Sequence, residues 1–206
     1  MTERTGVMNK GPGRWVLVLV LGVVVLGAAV GLMVYDRLIG SAATSPVAGV
    51  TGNQFTARRA LAPAVELAGQ WQEDAHLAAV SGHWPEVEGQ VEWAFQFYSP
   101  ATRRLVLIAV ADGTARIVRE SVSPYVVPTF TAQEWRVDSD QALQAWWDRG
   151  GKTLVARRPD VDLAMQLRVS EEAVGQPAWT VVGAIADTET AFTVLVNATD
   201  GTLVGQ

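Results

Sequence analysis

The chain has no cysteine among its 206 residues. Disulfides, iron–sulfur clusters, thiolate zinc sites and cysteine nucleophiles are excluded together. Histidine is almost as scarce, with only His76 and His83. On a continuous helix they would lie two turns apart, with Glu86 and Glu88 nearby. Gly82 interrupts that spacing, and a zinc site needs about three or four converging ligands. No metal or cofactor is therefore expected. No Gly-x-Ser-x-Gly occurs. Gly151-Lys152-Thr153 has the tail of a phosphate-binding loop, but Trp146 stands where its first glycine belongs and a helix precedes it. The acidic pairs Glu73-Asp74 and Glu171-Glu172 read as solvated charge. No nucleophile–base pair can be assembled, so no catalytic residue is named and an enzyme is not expected.

Positive charge is also in short supply. Three of the 16 Lys and Arg and one of the 21 Asp and Glu precede residue 36. That leaves 13 against 20 beyond it, a formal charge of −7. Such a surface lacks the concentrated basic patch that phosphates require, so nucleic acid is not an expected partner. The arginine pairs Arg58-Arg59, Arg103-Arg104 and Arg157-Arg158 fall near element ends and read as surface charge.

What the chain does have is one long uncharged apolar run, Trp15 to Tyr35. A helix of this length spans about 31 Å, matching the roughly 30 Å hydrocarbon core of a bilayer. Trp15 and Tyr35 bracket it as interfacial aromatics do, and Arg4, Lys10 and Arg14 precede it. The positive-inside bias puts residues 1–14 in the cytoplasm and the rest outside, giving a single-pass membrane protein. A cleaved signal peptide is the rival reading, with Ser41-Ala42-Ala43 as its small-residue site. The apolar run exceeds the usual ~7–15-residue core, and that site lies beyond its end. Gly27 and Gly31 form a small-xxx-small pair that would permit a weak homodimer contact between anchors.

Residues 36–55 are small and polar and read as a linker, holding the next domain about 20–25 Å from the membrane. From Ala57 to about Val80, Leu61, Val65, Ala68, Trp71, Ala75 and Ala78 recur at helical steps, with Pro63 expected to end or kink a helix crossing it, or else to mark a first turn. Period two follows. Val91, Trp93, Phe95 and Phe97 share one strand face, 105–111 is an apolar strand, and Asp112-Gly113 turns into a third strand. Asp138 with Gln141 reads as a capping box before Ala142, Leu143, Trp146 and Trp147, with Gly150-Gly151 as the stop. Leu154–Ala156 reads as a brief strand. Val161, Leu163, Met165, Leu167 and Val169 alternate cleanly with polar residues. Strands at 179–186 and 191–197 and a short one at 202–204 complete the chain.

Residues 93–118 and 179–204 are alike: Trp-strand, turn, apolar strand, Asp-Gly, strand, each preceded by a helix. The expected fold class is α+β: a transmembrane helix and then two tandem helix-plus-antiparallel-sheet domains, 56–127 and 128–206. In the second, SDQALQAWWDRG, PAWTVVG and NATDGTLV together resemble the PepSY domain family. In the first, WQEDAHLAAV and WAFQFYSP with ADG resemble a diverged copy. The sequence from Thr153 to Val169 has no counterpart in the first copy. The resemblance implies an extracytoplasmic, non-catalytic module that restrains or modulates peptidases. Here the partner would be a cell-surface peptidase acted on in trans, or an extended peptide. The other reading is a cell-envelope glycan binder. Most tryptophans have core positions, but Trp84 and Trp146 have weaker packing arguments and are the candidate ligand contacts.

Overall fold

The computed structural model describes residues 56–84, 92–185 and 191–205, with the side chains of all but Trp84. They belong to one compact unit, Gly49–Gln206. The expected transmembrane helix, its Gly27 and Gly31 contact and the linker lie outside the described residues. Among the described residues no helix is long and apolar enough to cross a membrane.

Helix α1 (Ala57–Trp71) is followed by strands β1 (His76–Trp84), β2 (Glu92–Ser99), β3 (Arg104–Ala111) and β4 (Thr114–Val122). Next come α2 (Ser139–Trp146), a wide turn (Trp147–Gly151) and α3 (Lys152–Arg157), then β5 (Val161–Ser170), β6 (Gln176–Ile185) and β7 (Ala191–Asn197). All seven strands form one antiparallel sheet in the order β4-β3-β2-β1-β5-β6-β7. This overturns the expectation of two separate sheets in two tandem domains.

The cause is β1, which the sequence reading absorbed into the first helix. Without it, the first half is a three-stranded meander, β2 to β4, with its helix. With it, the halves present bare edges, β1 and β5, whose unpaired N–H and C=O groups are satisfied by joining each other. The repeat itself survives inside the single sheet. Trp93 faces Val110 across its ladder and Trp179 faces Val196, with both residues of the second pair 86 positions further on. Phe95 with Ile108 and Val181 with Val194 follow the same rule.

Both helices cover one face. In α1 the buried side chains are Ala57, Ala60, Ala64 and Ala68. Such a small-residue stripe lets the helix lie close over β2, β3 and β4. Pro63 neither starts nor ends the helix but sits inside it. The second helix packs on β6 and β7. The expected capping box is present, with the Asp138 carboxylate on the first turn and Gln141 returning to the Asp138 N–H at 3.0 Å. The helix breaks at Gly150, where the Gly150-Gly151 pair was expected to stop it. Gly150 takes φ 141° and the chain resumes as α3 over residues read as a strand.

The core between helices and sheet is dominated by tryptophan. Trp93, Trp135, Trp146 and Trp179 are all fully buried. The equivalent Trp93 and Trp179 meet edge-on at 6.2 Å, and Trp135 packs on Trp179 at 5.8 Å. Indole rings bury about 150–250 Å² each, so this cluster supplies much of the apolar burial of the unit. The opposite face carries Ser81, His83, Gln96, Gln166 and Thr180, and no helix of the described residues covers it.

Candidate interaction surface

Among the described residues, sheet geometry leaves β4 at one end, with β3 as its only strand neighbour. The ladder carries a bulge. Leu107 pairs with Arg119 and Ile108 with Ile117, so Val118 is an extra residue. On the helix side of β4 stand Ile117, Glu120 and Val122; on the other side stand Arg116, Arg119 and Ser121. The Glu120 carboxylate accepts from Trp71 Nε1 at 2.9 Å and from Arg104. Arg116 pairs with Glu92 at 3.0 Å. No ion pair among the described residues engages Arg119 or Arg103.

Past β4 the chain runs Ser123-Pro124-Tyr125-Val126-Val127-Pro128. Ser123 N–H donates to the Arg103 carbonyl at 2.8 Å, and Ser123 Oγ donates to the Tyr125 carbonyl at 2.8 Å. These bonds and the two prolines fix a short ledge beside the β2–β3 turn. Val122, Tyr125 and Val126 are 73%, 78% and 75% exposed there. Three exposed apolar side chains within five residues make this segment the candidate interaction surface. Sequence reading missed it, because an apolar run between prolines does not reveal whether it faces in or out. The signal available was negative: no period of two or 3.6 places these residues in a core.

The candidates named from sequence fall elsewhere. Trp146 is fully buried, and its Nε1 donates to the Phe192 carbonyl at 2.9 Å. Its ring lies so close to Gly151 and Gly183 that a Cβ on either would come within 2.1 and 2.3 Å. It therefore offers no face to a sugar. The Trp84 side chain lies outside the described ones.

The remaining polar constellation crosses the seam between halves. His83 Nε2 lies 2.6 Å from Asp162 Oδ1, with Glu92 opposite His83 on the neighbouring strand. His76 is exposed at the start of β1. Among the described residues no three His, Asp or Glu side chains gather as a metal site. Several carboxylates are held below their ordinary range by hydrogen-bond donors. Asp74 is lowered by Ser99 Oγ and the Ala101 N–H, and Glu134 by the N–H and hydroxyl of Thr131. Each is stabilised as an anion by fixing a turn, the opposite of what a proton-donating catalyst requires. A groove of about 240 Å³ runs along Phe192, Val194, Leu203 and Val204. It is smaller than the ~300–1,000 Å³ of small-molecule sites.

No protein-family model matches this chain, and no curated protein and no solved structure matches it.

Proposed function

We propose that this chain is a membrane-anchored, extracytoplasmic, non-catalytic binding protein that regulates a cell-surface peptidase in trans. The anchor and its orientation rest on Trp15–Tyr35 and the basic residues before it. The peptidase is what the PepSY resemblance implies. The observation that carries the binding role is the ledge of Val122, Tyr125 and Val126, held by its own hydrogen bonds and largely exposed. These three lie within five residues of one another, unlike the isolated Val174 at 90% exposure, and that grouping supports the reading. Glycan binding has no exposed tryptophan to use among the described side chains.

The test is photocrosslinking of the full-length chain in its native membrane, with the reactive group at Val127. A peptidase captured by the native chain and lost in Tyr125→Ser/Val126→Ser supports the proposal. Capture that ignores these substitutions, or peptidase activity unchanged when the chain is deleted, overturns it.

A further inference from the structure

Resting on that binding role, we infer that β4 is the docking edge and that its occupant is an extended segment with apolar and acidic side chains in alternation. An added strand places successive side chains on opposite faces of the sheet. On the helix side it would meet Ile117 and Val122, which are 41% and 73% exposed, and then the ledge. The one carboxylate on that side, Glu120, is already held by Trp71 and Arg104. On the other side it would meet Arg119 and the Glu92-paired Arg116, with Arg103 at the adjoining turn. Apolar residues therefore suit one face of the incoming strand and carboxylates the other.

The same pattern disfavours a second copy of this chain. Antiparallel pairing of β4 with itself preserves faces, so Arg116 and Arg119 of both copies would crowd onto one face of the joined sheet. The far edge of the sheet is partly occupied. There Leu203 bridges to Val196, the Asn197 N–H donates to Thr202 and the Val204 N–H to Leu195. The bulge at Val118 limits an unbroken ladder on β4 to the four residues Arg119–Val122. A partner strand gains the rest of its contact from Tyr125 and Val126, where β4 gives way to the ledge.

The experiment uses the full-length chain in detergent micelles and three labelled octapeptides: alternating Val-Glu, the same composition as four Val then four Glu, and alternating Val-Lys. Fluorescence anisotropy gives affinity, and amide hydrogen exchange reports where pairing occurs. The alternating Val-Glu peptide is expected to bind about tenfold or more tightly than either control, since both the alternation and the charge are then satisfied. Exchange should slow across Arg119–Val122, and Arg119→Glu should move the preference toward the Val-Lys peptide. Equal binding of alternating and block peptides, or slowed exchange confined to β7, overturns the assignment. If native capture still depends on Tyr125 and Val126 while no peptide protects β4, the edge assignment falls and the binding role stands. If neither is seen, both fall.

Discussion

Trp135 and Trp179 donate their indole N–H groups to the same acceptor, the Val137 carbonyl, at 2.9 and 2.8 Å. One residue belongs to the crossing segment and the other to the middle of β6, and their rings pack edge-on. That shared carbonyl ties the connection between the two halves to the sheet they form. Replacing Trp179 by Phe leaves a smaller ring and removes one of the two donors. The expected loss is about 2–4 kcal/mol, from cavity and hydrogen-bond terms together. Because the two rings share an acceptor and a contact, the double variant Trp135→Phe/Trp179→Phe should lose less than the sum of the singles. Urea denaturation checks this, and strict additivity would show the residues to be independent.

Glycines make the room these rings occupy. A Cβ on Gly82 would stand 2.6 Å from the Trp93 ring, and one on Gly183 2.3 Å from that of Trp146. Ala at either position should destabilise by about 1–3 kcal/mol, because both neighbours are buried and rigid. Gly69, in the last turns of α1, has no atom within 4 Å of its would-be Cβ. Gly69→Ala should stabilise by about 0.5–1 kcal/mol through helix propensity. Thermal melts of the three variants give opposite signs from one chemical change. The same sign in all three would refute the steric argument.

These contacts also explain which parts of the fold were legible in the sequence. Period-two strands such as Glu92–Ser99 and Val161–Ser170 could be read because one face is buried over three and four alternate residues, Trp93 to Phe97 and Val161 to Leu167. In β1 a bulge between Leu77 and Ala79 buries Leu77 and Ala78 side by side. The alternation is thereby erased, and the spacing of Trp71, Ala75 and Ala78 passes for a helix. Losing that strand hid the seam that joins the halves. Trp146 was read as a surface candidate because its space is made by Gly183, 37 positions away, which no local period reports. The Asp138 cap needed only four neighbouring residues and was legible in full.

That cap serves more than its own helix. Asp138 Oδ1 accepts from Ser139 N–H at 2.7 Å and from Arg58 N–H at 3.2 Å, while Ser139 Oγ accepts from Ala57 N–H at 3.0 Å. The first turns of α1 and α2 thus draw on one Asp-Ser pair, and Thr56, the residue preceding α1, makes no side-chain cap of its own. Asp138→Ala should cost about 1–2 kcal/mol, at the upper end for a single cap, because it strips donors in two helices. Asp138→Asn keeps an acceptor and should recover most of that loss. Chemical denaturation distinguishes the two, and an equal loss in both variants would assign the effect to charge instead.

Acid should loosen the turns before it reaches the core. The Asp74 carboxylate accepts from Ser99 Oγ at 2.7 Å and the Ala101 N–H at 2.8 Å, and Ser99 is itself fully buried. Those donors lower its folded pKa below the ordinary Asp value, and Thr131 does the same for Glu134 and Thr202 for Asp200. A depressed folded value means the unfolded chain takes up protons first as pH falls. The stabilisation is therefore complete above the unfolded value of about 4 and is lost as pH drops through the folded one. Asp74→Asn retains an acceptor but cannot titrate. Its melting temperature should start below that of the native chain at neutral pH and fall less steeply below about pH 4. Hydrogen exchange at Ala101 and Thr102 should report the same loosening locally. Parallel pH profiles for the native and Asp74→Asn chains would rule out this carboxylate as a source of acid sensitivity.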